Sequence, residues 1–172
     1  MGIIDREKLL QLQGRQRNGQ LELGQKYGLV RQYCASGGCL LTDIHFSKKM
    51  RDYFTHNSSF KMVDMKFLKI GRHFRYQSTK IIVGRNETEN KALEQWADSG
   101  DVILELTKAK GPITLVQSPK DQGVIDFACQ LTLIHSDSNS NEEEIALKWK
   151  GGDRSTILIH RQVTLDIEPY RI

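Results

Sequence analysis

The sequence predicts an α+β protein: a helical, cysteine-containing N-terminal segment over residues 1–65, then a mixed or antiparallel sheet domain with packed helices over 66–172. Three observations carry this reading. Leu9, Leu12, Leu21 and Leu23 stand among polar residues at spacings that suit helices. Two β-rich runs, 69–76 and 79–86, flank a short polar turn. Later, apolar residues at helical spacing precede a tail of strand-like segments.

Taken in order, Asp5 to Leu29 reads as two helices rather than one rod. Gly14 and Gly19 mark the break, because each interior glycine costs a helix about 1 kcal/mol. Ser47 to Thr55 is a short helix with Ser47 as its cap and Met50, Tyr53 and Phe54 at helical spacing. Met62 to Ile70 fits strand or helix. The runs 69–76 and 79–86 form paired strands, each carrying a Gly-Arg step (Gly71-Arg72 and Gly84-Arg85). Glu87 to Ala97 is a helix with Leu93 and Trp96 inward, and Asp101 to Leu106 and Ile113 to Gln117 are strands around a Gly111-Pro112 turn. Between Lys120 and His135, Val124, Phe127, Ala128, Leu131 and Ile134 fall on one helical face and make Cys129 a core neighbour. After a solvated loop, 144–150, 156–160 and 163–168 read as an antiparallel meander turning at Gly151-Gly152-Asp153.

Composition narrows the function. At 172 residues and 38% hydrophobic, the chain buries a core of ordinary size without staples. No run approaches membrane-spanning length and no apolar leader opens the sequence, so a cytoplasmic protein without membrane contact is expected. The net charge of +4 is modest, but its distribution is not. Residues 44–91 hold eleven Lys and Arg against four Asp and Glu, 11 − 4 = +7, whereas 92–172 is net acidic. Phe46, Tyr53, Phe54, Phe60, Phe67, Phe74 and Tyr76 interleave with those bases, which pairs phosphate-neutralising charge with ring faces for unstacked bases. Lys69, Arg72, Arg75, Lys80 and Arg85 are expected on one basic surface. Asn86 and Asn90 lie one helical turn apart beside Arg85, where helix-start donors also favour phosphate. A solvated charged face over an aromatic core is the competing reading.

The segment Cys34-Ala35-Ser36-Gly37-Gly38-Cys39-Leu40-Leu41-Thr42-Asp43 stands apart. It fits half a metal site, a redox or sulfur-carrying pair, or two buried thiols. Zinc normally needs four ligands, and only His45, His56 or His73 are at hand to complete Cys34 and Cys39, so no metal is assigned. For sulfur chemistry the thiolate must form below the free pKa of about 8.5, a field that Arg31, His45 and Lys48 can supply.

Two resemblances sharpen this. Ile82-Val83-Gly84-Arg85-Asn86, Asn90, Gly100-Asp101 and Gly111-Pro112 before an apolar strand resemble the NFACT-R domain, an RNA-binding module of ribosome quality-control proteins and of some tRNA-modifying enzymes. The aromatic-His step that follows the Asp strand in many members has no counterpart in Asp101-Val102-Ile103-Leu104-Glu105-Leu106. Earlier residues, Asp5 to Leu10, Gly14-Arg15, Tyr27-Gly28-Leu29 and Gly37 to Asp43, resemble the region after the ATP-pyrophosphatase domain of PP-loop proteins related to tRNA thiouridine synthases.

That second resemblance implies a sulfur-transferring role in tRNA modification, with Cys39 the persulfide carrier and Cys34 the resolving thiol. No Ser-Gly-Gly-x-Asp-Ser pyrophosphate loop occurs in the sequence, so the chain needs an ATP-pyrophosphatase domain in cis or trans and a sulfur donor, and holds no cofactor itself. The expected partner is tRNA or another structured RNA. The alternative is a non-catalytic RNA-binding or ribosome-associated module with structural cysteines.

Overall fold

The computed structural model describes residues 18–29 and 40–172, in two units that divide between Asp43 and Ile44. In the first unit, helix α1 spans Asn18–Lys26. It stops where Gly28 takes φ +69°, a left-handed conformation that glycine adopts without Cβ strain. Leu29 N then donates to Gly24 O at 2.8 Å and Gly28 N to Gln25 O at 3.1 Å, the paired bonds that satisfy a helix's last carbonyls. A single 3-10 turn follows at Leu40–Thr42. The first expected helix, and Cys34 and Cys39 with it, lie outside the described residues.

The second unit opens with helix α2, Ile44–His56, which starts before the expected cap at Ser47. Helix α3, Asp64–Leu68, settles the ambiguous 62–70 stretch as helix. Its neighbours Phe67 and Leu68 both bury, Phe67 on the sheet and Leu68 against Phe46 and Tyr53 of α2. Strands β1 (Arg72–Tyr76) and β2 (Thr79–Val83) form a hairpin; helix α4 (Glu87–Trp96), β3 (Val102–Leu106), β4 (Thr114–Val116), helix α5 (Gln122–Ile134), β5 (Glu142–Trp149) and β6 (Arg154–His160) follow.

The strands make one six-stranded sheet in the order β1-β2-β4-β3-β5-β6, every pair antiparallel. Side chains alternate across it with period two. Phe74, Ile81, Val83, Val102, Leu104 and Val116 meet α5 on one face. Ile82, Ile103 and Leu115 meet Phe67 and Leu93 on the other. Cys129 is fully buried in the α5 layer, and burial, helped by the charge of Asp126, pushes its thiol pKa up to about 12.

The tail differs from the expected meander, for 163–168 is not a strand. Gln162 N donates to Gln130 Oε1 of α5 at 3.0 Å, which draws the chain away from β6. Pro169 then sits in a 3-10 turn, Glu168–Tyr170. Beyond it Arg171 bridges Phe74, and Ile172 N donates to His73 O at 3.0 Å, so the last residues cap the free edge of β1. Among the described residues no helix is long and apolar enough to cross a membrane, and no group of three or more His, Cys, Asp or Glu could hold a metal ion.

Candidate nucleic-acid interface

The antiparallel register sets Arg72 opposite Val83, so the two Gly-Arg steps meet at the open end of the β1–β2 hairpin. Both glycines there are steric requirements. Gly71 has φ +72°, and a Cβ on it would lie 2.6 Å from Ile82 Cγ2. A Cβ on Gly84 would lie 2.0 Å from Asn90 Oδ1, because the Asn90 carboxamide turns inward to accept from Ile113 N at 3.1 Å. Asn86 caps α4, its Oδ1 accepting from Glu89 N at 3.0 Å.

Glu89 ties this end together. Its Oε2 accepts from Gly71 N at 3.1 Å and from Arg85 N at 2.9 Å, while Oε1 takes the Arg85 guanidinium at 2.6 Å. Burial works to raise the Glu89 carboxyl pKa, and the hydrogen bonds and charge of Arg85 outweigh it and hold it low. The cluster is thus satisfied from within.

Arg75 and Lys80 pair at the opposite end of the same hairpin, and on its opposite face from Arg72. Both bind Asp52 of α2: Arg75 Nε reaches Oδ1 at 2.9 Å, and Lys80 Nζ reaches Oδ2 at 2.7 Å. Arg75 Nη1 donates to Ser78 O at 2.9 Å. Burial opposes the charged carboxylate of Asp52, yet the two cations hold its pKa below the ordinary range. With Lys80 only 6% exposed, this is an interior ion network.

The five cations expected on one surface are therefore divided. Lys69 is exposed at the end of α3, and Arg72 is half-buried with Nη1 3.5 Å from Gly84 O; neither has a carboxylate partner among the described residues. Arg85, Arg75, Lys80, Asn86 and Asn90 commit polar atoms to internal partners. Three structural residues were missed by sequence reasoning. Glu89 was legible, since it stands three residues after the Asn86 cap and four after Arg85, both positions of local helix pairing. Asp52 had no local signal, being 23 and 28 residues from its partners. Arg171 lies beyond the last expected strand, 163–168, and nothing local tied it to β1; its guanidinium lies 5.7 Å from the Phe74 ring centroid. Burial first, and then the charges of Arg72 and Arg171, lower the pKa of His135 against its hydrogen bond to Leu131 O.

The remaining free charge of the basic stretch sits elsewhere. Lys48, Arg51, Lys61 and Lys66 are exposed on α2, α3 and their connection, without a carboxylate partner among the described residues. Phe54 and Phe60 are exposed among them by 57% and 52%, their rings stacked 6.2 Å apart at 21°. Each also meets Tyr53 edge-on, at 5.7 and 6.3 Å. Tyr53 lines an open cleft of about 530 Å³ together with Lys61 and Lys120.

Compared with known proteins, residues 71–170 match the family described as NFACT protein RNA binding domain. The chain is also similar to the solved C-terminal part of the fibronectin/fibrinogen-binding protein from Streptococcus suis. That match has 14% identity and a TM-score of 0.51 over 90% of this chain and 72% of that one, a likeness of fold. No curated protein compared with the chain matches it.

Proposed function

The chain belongs to the family of NFACT protein RNA-binding domains, and on that premise we propose that it holds tRNA or another structured RNA by its phosphates, through Lys69, Arg72 and Arg171 at the open end of the β1–β2 hairpin. The observation that carries this site is chemical. Among the described residues, Arg72 and Lys69 have no carboxylate to neutralise them, whereas Arg85 beside them is spent on Glu89. Arg171 is shared with Glu168 at 3.1 Å but remains 45% exposed. Unpaired protein cations that neutralise RNA phosphates release the counterions condensed on the RNA, which makes affinity salt-dependent.

The test is a salt titration of tRNA binding with wild type and with Arg72→Glu/Arg171→Glu. The double variant is expected to bind more weakly and to lower the slope of log affinity against log salt by roughly 1–2. No measurable binding of tRNA by the wild type at moderate salt would overturn the reading.

A finer reading makes this RNA holder part of a cytoplasmic tRNA-modifying enzyme, with ATP consumed by a partner domain and sulfur carried by Cys39. What supports it is the sequence Gly37-Gly38-Cys39-Leu40-Leu41-Thr42-Asp43. A persulfide trapped on Cys39 after incubation with a persulfide donor, which hands over sulfane sulfur and leaves as its thiol, would support it; equal slow labelling of all three thiols would leave the binding module alone. The domain limits 1–65 and 66–172 belong to the same proposal.

A further inference from the structure

We propose that the corner formed by α2 and α3 is a second RNA-contacting surface, outside the family-matched residues, and that it takes an unpaired stretch of RNA. Its bases stack on Phe54 and Phe60 and its phosphates lie on Lys48, Arg51 and Lys61. The proposal rests on the RNA-binding reading and adds to it the form of RNA bound and the place.

The corner keeps large rings that the fold does not use. Phe54 is more than half exposed although α2 has a buried side, occupied by Phe46 and Tyr53. Phe60 is likewise exposed in the connection to α3. Leaving two large rings in water forfeits their burial energy, and both are held by edge-on contact with the buried Tyr53 ring. Tyr53 is fixed in turn: its hydroxyl donates to Asp64 Oδ2 at 2.6 Å and accepts from Lys61 N at 3.1 Å. The platform is preorganised.

Most of the charge around it is positive. Lys48, Arg51 and Phe54 occupy successive i+3 positions of the exposed side of α2, rising about 4.5 Å per step. Lys61 directly follows Phe60. None of these cations has a carboxylate partner among the described residues; Asp52 nearby is neutralised by Arg75 and Lys80, and Asp64 is turned to the Tyr53 hydroxyl. Sequence-tolerant binding of single strands needs this combination, ring faces for bases beside cations for phosphates. Duplex RNA keeps its bases stacked on one another and gives the rings nothing to hold. The cleft beside Tyr53, lined by Lys61 and Lys120 and also by Asp64, Asp98 and Asp101, leaves room next to the platform for a displaced base, with the phosphates kept on the Lys48, Arg51 and Lys61 side.

The experiment uses the full chain, tRNA and a uridine-rich single-stranded decamer bearing 5-iodouridine. Photocrosslinks are expected on Phe54 or Phe60. Phe54→Ala/Phe60→Ala should weaken decamer binding roughly tenfold or more with thermal stability preserved, and Phe54→Tyr/Phe60→Tyr should restore it. If tRNA binds but crosslinks map elsewhere and the Ala pair leaves decamer affinity intact, the corner proposal is overturned and the hairpin-end reading stands. If neither RNA binds the wild type, both fall. If the Ala pair alters only self-association, the corner is a protein interface and the proposal fails.

Discussion

The open end of the β1–β2 hairpin and the α2–α3 corner are both basic in sequence, yet the fold treats them in opposite ways. At the hairpin end, Glu89 takes the Arg85 backbone and guanidinium, Asn86 caps α4 and the inward carboxamide of Asn90 accepts from Ile113 N. At the corner, Asp52 is used by Arg75 and Lys80 and Asp64 by the Tyr53 hydroxyl, and Lys48, Arg51 and Lys61 remain exposed beside exposed rings. The Gly-Arg-Asn run itself therefore serves construction in this protein, leaving Lys69, Arg72 and Arg171 for a ligand at the hairpin end, while the corner keeps cations and rings together. Mutations should separate accordingly: large stability effects at the internally paired residues beneath and within the hairpin, binding effects with little stability cost on the corner, and a tRNA-binding effect at the hairpin end confined to Lys69, Arg72 and Arg171.

The largest effect is expected from Asp52→Ala, which leaves Arg75 and Lys80 as uncompensated interior charges and should cost about 3–5 kcal/mol in urea unfolding. Because the folded pKa of Asp52 lies below its ordinary 3.8, its stabilisation is fully present above that value and fades as pH falls through the folded pKa. The gap between wild type and variant should thus narrow in acid. A constant gap down to about pH 2 would show that packing, not charge, is at stake.

Next is Gly84→Ala. Its Cβ would displace the Asn90 carboxamide and leave Ile113 N without its acceptor, a loss of about 2–3 kcal/mol. Smaller again, Asn86→Ala removes a helix cap and should cost about 1 kcal/mol while tRNA affinity stays unchanged. A drop in affinity at unchanged stability would mean that Asn86 touches the RNA instead. Smallest in stability is Arg51→Gln/Lys61→Gln, within about 0.5 kcal/mol of wild type but with weakened binding of the single-stranded decamer.

The α5 helix, the hairpin and most of the strands were legible because their apolar spacing and turn residues are local signals. Leu93 and Trp96 and the paired Gly-Arg steps were placed by such patterns. What escaped depends on distance along the chain. Asp52 meets its two cationic partners, Arg75 and Lys80, more than twenty residues away, and just before the 163–168 segment the chain is held by Gln130 of α5, a contact distant in sequence. Sequence could also locate the positive charge of residues 44–91 without showing which cations would be neutralised, since that depends on where Asp52 and Glu89 fold.

Unpaired cations of the α2–α3 corner, and not the arginine of the Gly-Arg-Asn run, should therefore carry single-strand binding. The most direct test is the slope of log affinity against log salt for the uridine-rich decamer, measured with Lys48→Gln/Arg51→Gln/Lys61→Gln and, separately, with Arg85→Gln. The triple variant should lower the slope by roughly 2, about 0.7 for each single-strand phosphate no longer neutralised, and Arg85→Gln should leave it near the wild-type value. A slope unchanged in the triple variant and lowered by Arg85→Gln would contradict the corner's role.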